Sequence, residues 1–162
     1  IKLASKKGWK VFLLGGLPEY AKSAGLNLRK TFKGVRIAYA QGPQINSEGE
    51  PDSLKDVEIQ KDAIAQINEY RPQLLFVAFG AATPKQEKWI YKNLPKLKIG
   101  GAMVVGGTLD YIAGQAPLPP KWAEGSFEWF WRLFTQPWRA LRIFRATILF
   151  PWKVFLYKLK SA

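Results

Sequence analysis

The chain has 162 residues, 48% of them apolar and 23% charged, a composition typical of one globular domain that excludes a disordered chain. It contains no cysteine and no histidine, which excludes disulfides, Ser-His-Asp and thiolate catalysis, and metal sites built on those side chains. The net charge of +13 favours an anionic partner: a phosphate-bearing ligand, nucleic acid or an acidic membrane surface. We therefore expect carboxylates to carry any acid–base chemistry, in a cytoplasmic setting, and we expect no cofactor.

The first residues predict the end of a helix. Residues 1–7 have helical character, and Gly8 would end the helix. The first residue is Ile1 and not a methionine. We expect an N-terminal part of a longer protein to precede Ile1. Lysines interrupt any signal-peptide core, and no apolar run reaches the roughly 18 residues that a membrane span needs.

Apolar runs and helical patterns alternate along the next hundred residues. The predicted strands are residues 10–16, 35–40, 74–80 and 99–107. The predicted helices are residues 18–32, residues 56–70, a helix opened by Pro84, and residues 109–113, with Thr83 and Thr108 as candidate N-caps. Residues 41–53 are predicted to form a polar loop. Strands that alternate with helices form parallel βαβ units. The sequence thus predicts an α/β fold with a doubly wound, Rossmann-like, mostly parallel sheet.

Three predicted strands end at glycine turns, which contain Gly15, Gly80 and the pair Gly106 and Gly107. Ligands of doubly wound sheets bind at the carboxyl ends of the strands, and glycines there let phosphate approach the backbone. Each glycine could instead serve only a tight turn. Neither the G-x-G-x-x-G fingerprint nor a Walker A sequence is present, which disfavours an NAD-type Rossmann domain and a P-loop enzyme.

Polar side chains follow two of these turns. Lys85 and Gln86 lie in the predicted first turn of a helix, where an ammonium and an amide could engage a diphosphate or sugar hydroxyls. The alternative is an ordinary amphipathic helix that buries Trp89. Asp110 follows the Gly-Gly-Thr turn and could cap a helix, bind a ribose or take part in catalysis.

Taken in order, several motifs resemble those of the WecG/TagA/CpsF glycosyltransferase family. They are Phe79-Gly80, Pro84-Lys85-Gln86-Glu87-Lys88-Trp89, Gly106-Gly107-Thr108-Leu109-Asp110-Tyr111-Ile112-Ala113-Gly114, Ala116-Pro117 and Glu128-Trp129-Phe130-Trp131-Arg132-Leu133, with Pro137 and Arg139. The resemblance covers roughly residues 8 to 145.

The resemblance implies transfer of an N-acetylmannosamine-type sugar from a UDP-sugar to undecaprenyl-diphosphate-linked N-acetylglucosamine, with inversion and without metal, in teichoic acid or surface polysaccharide synthesis. It implies that Gln86 contacts the donor's diphosphate or sugar, Asp110 the nucleotide, and Arg132 the substrate phosphates near the membrane. The catalytic base would lie upstream of Ile1, so we expect this chain alone to be inactive. The candidate substrate-binding residues are Gly15, Gly80, Thr83, Lys85, Gln86, Gly106, Gly107, Asp110 and Arg132.

The last 42 residues are rich in basic and aromatic side chains. Residues 121–162 hold eight basic and two acidic residues, five of the seven tryptophans, and Pro137 and Pro151, which divide the tail into short helices. Such helices would lie along a membrane surface. The candidate membrane-contacting residues are Trp138, Arg139, Arg142, Arg145, Trp152 and Lys153. The aromatic residues of 127–134 could instead pack as core, and apolar tail surface could join subunits in a homo-oligomer.

These predictions divide the chain into a nucleotide-sugar-binding domain, residues 1–120, and an amphipathic helical tail, residues 121–162. The expected partners are a UDP-sugar, a polyprenyl-diphosphate-linked acceptor and the anionic cytoplasmic face of the plasma membrane. A module that binds nucleic acid remains the alternative based on charge, but the basic residues concentrate beside apolar helices, so we expect no nucleic acid partner.

Overall fold

The computed structural model describes residues 1–15, 18–80, 84–114 and 148–161. The chain forms two compact units, Ile1–Pro117 and Leu118–Ala162. The predicted domain boundary after residue 120 lies outside the described residues.

Helices and strands alternate through the described part of the first unit. The elements are α1 (Lys2–Lys7), β1 (Lys10–Gly15), α2 (Pro18–Thr31), β2 (Arg36–Ala40), α3 (Leu54–Tyr70), β3 (Leu74–Ala78), α4 (Lys85–Asn93), a 3₁₀ turn (Leu94–Lys96), β4 (Gly101–Val104) and α5 (Thr108–Ile112). The four strands form one sheet in the order β2-β1-β3-β4, and every neighbouring pair is parallel. The predicted parallel α/β sheet is confirmed.

Strand β1 lies at the centre of the fold because both of its faces are apolar. Val11 and Leu13 pack in a core with α2 and α5, whereas Phe12 and Leu14 pack in a second core with α3 and α4. This alternation follows from the two-residue period of a strand. The helices therefore cover both faces of the sheet, as the doubly wound fold requires.

The ends of three helices differ from the prediction. Helix α3 begins two residues early because Ser53 caps it: its Oγ accepts the Asp56 amide N–H at 3.2 Å. Pro84, not Thr83, occupies the N-cap position of α4. Gly107 occupies that position before α5, so the prediction that Thr108 caps this helix is wrong. Gly8 ends α1 in the left-handed conformation, with φ 65°, as predicted.

The described part of the second unit contains helix α6 (Phe150–Ser161). Within the described residues, no helix has both the length and the apolar character needed to cross a membrane. Trp152 and Lys153 lie in α6 and are exposed. Four predicted membrane-contacting residues lie outside the described part of the chain: Trp138, Arg139, Arg142 and Arg145.

Candidate active site

A pocket of about 240 Å³ lies at the carboxyl ends of β3 and β4, beside the start of α2 and the loop that follows β2. Strands β1 and β3 are neighbours, but the helices that follow them, α2 and α4, pack on opposite faces of the sheet. This divergence opens a crevice, the usual ligand site of a doubly wound sheet. The pocket is lined by Tyr20, Pro43, Gln44, Ala78, Phe79, Gly80, Gly106, Gly107 and Asp110.

Glycine is required where the strand ends approach one another. At Gly15 the backbone has φ 118°, and a Cβ would lie 2.5 Å from the carbonyl oxygen of Ala78. Gly15 thus permits close contact between β1 and β3 but does not itself line the pocket. Gly80 and Gly106, which do line it, also have positive φ, 83° and 53°.

Asp110 brings a carboxylate to the pocket wall. It lies in the first turn of α5, and its amide N–H donates to the carbonyl of Gly107 at 3.2 Å. A Cβ at Gly107 would lie 3.3 Å from Asp110 Oδ2, so glycine gives the carboxylate space beside the turn. With Tyr20 and Gln44, the pocket offers a carboxylate, a phenol and an amide, groups that suit sugar or ribose hydroxyls.

An aromatic side chain forms one wall of the pocket. The Phe79 ring packs edge-on against Trp89, with ring centroids 5.2 Å apart. Trp89 is fully buried, and its Nε1 donates to Gln60 Oε1 at 2.6 Å. A Cβ on Gly42 would lie 2.1 Å from Phe79 Cε1, so the absence of a side chain there fixes where the ring can lie.

Lys85 and Gln86 contact segments of the pocket wall but do not line the pocket. The Gln86 side chain is 1% exposed, and its Oε1 accepts the Phe79 amide N–H at 2.8 Å. Lys85 Nζ donates to the carbonyl of Ile45 at 3.1 Å, just beyond Pro43 and Gln44. Contact between either side chain and a ligand stays a prediction.

Asp56 anchors the pocket segment that contains Gln44. Its Oδ1 accepts the Gln44 amide N–H at 2.8 Å, and its Oδ2 accepts a hydrogen bond from Ser53 Oγ at 2.5 Å. The hydrogen bond from Ser53 is the main cause that lowers the pKa of the Asp56 carboxyl, and the hydrogen bond from Gln44 is the second. The lowered pKa keeps the carboxylate ionised, so that it accepts both hydrogen bonds. A Ser-x-x-Asp spacing, similar to a capping box, is a local signal that could have located the start of α3 at this anchor.

The sequence predicted part of this site. Gly80, Gly106, Gly107 and Asp110 come together as expected, whereas Tyr20, Pro43 and Gln44 were missed. Thr83 and Arg132 lie outside the described residues. Among the residues that the structure describes, no group of three carboxylate, histidine or cysteine side chains could hold a metal ion.

A second depression, of about 380 Å³, lies at the carboxyl end of β2 between α2 and α3. Its polar lining includes Glu19, Lys22, Tyr39, Asp62 and Gln66. It is separate from the site that contains Asp110, so its residues provide controls for that site.

The full chain, residues 1–162, matches the sequence profile of the glycosyl transferase WecG/TagA/CpsF family. The chain belongs to this family. The family resemblance predicted from the motifs around Lys85 and Asp110 is therefore confirmed.

Two similar relatives bear one name, N-acetylglucosaminyldiphosphoundecaprenol N-acetyl-beta-D-mannosaminyltransferase. The relative from Bacillus subtilis (strain 168) is 28% identical over 143 residues, 87% of this chain and 50% of its own. The relative from Staphylococcus aureus (strain NCTC 8325 / PS 47) is 27% identical over 161 residues, 99% of this chain and 58% of its own. The WecG/TagA/CpsF chain thus spans 50% and 58% of the lengths of these two relatives.

Proposed function

We propose that this chain binds the donor nucleotide in an N-acetylmannosaminyltransferase that acts on undecaprenyl-diphosphate-linked N-acetylglucosamine. Family membership and the names of the two relatives support this sugar and this acceptor. The observation that carries the proposal is the pocket at the carboxyl ends of β3 and β4, where the glycine turns that follow these strands adjoin the carboxylate of Asp110.

The chemistry of the pocket suits a uridine diphosphate. The Asp110 carboxylate can accept hydrogen bonds from ribose hydroxyls, as acidic residues do in other nucleotide-binding Rossmann folds. Gly80, Gly106 and Gly107 leave the backbone accessible, so a diphosphate can approach amide N–H groups. The ring of Phe79 provides an apolar wall for a base or sugar face.

The proposed reaction is a single displacement. A hydroxyl of the acceptor sugar attacks the anomeric carbon of the donor, the bond from that carbon to the diphosphate breaks, and UDP leaves with the bonding electrons. A carboxylate takes the proton of the attacking hydroxyl, and attack from the opposite face inverts the anomeric centre. We propose that this step needs no metal and that the basic carboxylate lies in the part of the relatives' length that this chain does not cover.

Replacing Asp110 with asparagine should weaken binding of UDP by about 10- to 100-fold. The reason is that a hydrogen bond to a charged acceptor contributes about 1.5–3 kcal/mol. Calorimetric titration of UDP into the wild-type chain and the variant measures the loss. The matched control is Asp62→Asn, which removes a carboxylate from the depression at the end of β2.

The control also tests where the nucleotide binds. If Asp62→Asn weakened binding and Asp110→Asn did not, the pocket assignment would be wrong. Titrations of NAD and of single-stranded oligonucleotide should give no saturable signal. Tight binding of either ligand together with no binding of UDP would favour a Rossmann dehydrogenase domain or a nucleic-acid-binding module instead.

We further propose that the second unit binds the anionic cytoplasmic surface of the plasma membrane as a peripheral protein. Helix α6 exposes aromatic and aliphatic side chains beside lysine, including Trp152, which is 58% exposed, and Tyr157, which is 73% exposed. Aromatic rings favour the headgroup region of a bilayer, and lysines are attracted to anionic lipid.

A co-sedimentation assay with lipid vesicles tests the membrane proposal. The chain should bind vesicles that contain phosphatidylglycerol more tightly than vesicles of phosphatidylcholine alone. Lys153→Gln should lower the affinity for anionic vesicles by about fivefold, the equivalent of roughly 1 kcal/mol per basic residue at a membrane surface. Lys61→Gln, an exposed α3 lysine, is the control for charge. Equal binding to both kinds of vesicle would contradict the proposal.

A further inference from the structure

The segment between β2 and α3 is held against helix α4 by three lysines. Lys85 Nζ donates to the carbonyl of Ile45 at 3.1 Å, Lys88 pairs with Glu48 at 2.9 Å, and Lys92 pairs with Glu50 at 2.5 Å. The three lysines are three and four residues apart, so they lie along one side of the helix. Their partners, Ile45, Glu48 and Glu50, follow one another along the chain in the same order as the lysines.

Residues 45–51 form a tight turn of their own. Ile45 and Pro51 form an antiparallel bridge, and the Asn46 side-chain oxygen accepts the amide N–H groups of Glu48 and Glu50 at 2.9 and 3.1 Å. Gly49 lies so close to α4 that a Cβ there would be 2.7 Å from the Trp89 backbone nitrogen. The turn is therefore held together by its own hydrogen bonds, and it packs closely against α4.

The three lysine contacts differ in strength. Both carboxylates and both ammonium groups of the Lys88 and Lys92 pairs are exposed to solvent, where an ion pair contributes little. The bond from Lys85 is partly buried, and its acceptor belongs to the buried residue Ile45. A buried carbonyl that loses its donor is left unsatisfied, so the Lys85 bond contributes most to the attachment.

This attachment lies next to the pocket. Ile45 directly follows Pro43 and Gln44, which line the pocket, and the Gln44 amide N–H is held by Asp56 at 2.8 Å. The short segment that lines the pocket is thus fixed on one side by α3 and on the other by α4. Loss of either anchor would let Pro43 and Gln44 move away from the pocket.

We propose that Lys85 is a positioning residue, which orients the Pro43 and Gln44 wall of the nucleotide pocket by holding the carbonyl of Ile45, and is not a ligand of the diphosphate. That the pocket binds a nucleotide rests on the proposed function. The attachment of residues 45–51 to α4 by Lys85 does not. The two roles differ in their dependence on phosphate. A residue that orients the wall affects every ligand of the pocket, whereas a phosphate ligand affects only those with phosphate.

The experiment compares Lys85→Met, Lys85→Arg and the control Lys61→Met in the full 162-residue chain. Amide hydrogen exchange reports on the attachment, and affinities for uridine and UDP report on the pocket. In Lys85→Met, amides of residues 45–51 should exchange about fivefold faster, and both ligands should bind about fivefold more weakly. Lys85→Arg retains a donor and should restore most of both losses, and Lys61→Met should change neither.

Other results would contradict either the positioning role of Lys85 or the proposed function. Unchanged exchange in residues 45–51 would overturn the proposal, as would a loss of UDP affinity tenfold or greater with uridine affinity intact, because that pattern identifies a phosphate ligand. If the wild-type chain bound neither uridine nor UDP, the proposed function would fail. The exchange rates would then still support or overturn the attachment by Lys85, so the two failures are distinguishable.

Discussion

Replacing Gly42 with alanine should weaken binding of UDP by about fivefold or more. The new Cβ would lie 2.1 Å from Phe79 Cε1 and 2.9 Å from the Cα of Gly15, closer than atoms can approach. The Phe79 ring cannot retreat freely because it packs against the buried Trp89. Either the ring or the segment with Pro43 and Gln44 must shift, and both line the pocket. Overpacking of this kind costs about 1–3 kcal/mol.

Calorimetry with UDP, together with thermal unfolding, measures the effect of Gly42→Ala. Gly101→Ala is the matched control, since a Cβ at Gly101 meets no atom within 4 Å. In a Phe79→Ala background, most of the added cost of Gly42→Ala should disappear, because the principal clash is with the ring. If Gly42→Ala bound UDP as tightly as wild type, the close packing of Gly42 and Phe79 would be irrelevant to the pocket.

Replacing Trp89 with alanine should lower the free energy of unfolding by about 3–5 kcal/mol. The indole is fully buried, packs against Phe79 and donates to Gln60 at 2.6 Å, so the change leaves both a cavity and an unsatisfied amide oxygen. A loss of this size is a large share of the roughly 5–15 kcal/mol that stabilises a domain. Denaturant unfolding followed by circular dichroism measures it.

The control for Trp89 lies on the same helix. Tyr91 is an aromatic residue of α4 that is 81% exposed, and Tyr91→Ala should change stability by about 0.5 kcal/mol or less. Trp89→Phe should fall between the two, since it keeps an aromatic ring but removes the Nε1 donor. A Trp89→Ala variant as stable as Tyr91→Ala would contradict the core assignment of α4.

The sheet and the glycine turns could be predicted because their signals are local. The apolar runs of β1 and β3 end at Gly15 and Gly80, and a strand buried on both faces needs an uninterrupted apolar sequence. Asp110 was predicted at the pocket for the same reason, since it follows a strand and a turn within a few residues. Fold and family could therefore be inferred without knowledge of distant contacts.

The contacts of Lys85 and Gln86 could not be predicted because each joins the start of α4 to another segment of the chain. An amide near a helix start is usually solvated, but the Gln86 side chain turns inward to satisfy the Phe79 N–H at the end of β3. The acceptor of Lys85 is a carbonyl 40 residues earlier in the chain. Residues 41–53 have no hydrophobic period, so no pattern in the sequence indicates that they fold against α4.

The most direct test of the nucleotide pocket is amide hydrogen exchange of the chain with and without UDP. UDP should slow exchange in residues 78–80 and 106–110, which form the pocket wall. Exchange should not change in residues 59–66 of α3, which face the depression at the end of β2. Protection confined to residues 59–66, or no protection at the pocket under saturating UDP, would contradict the proposal that this crevice holds the donor nucleotide.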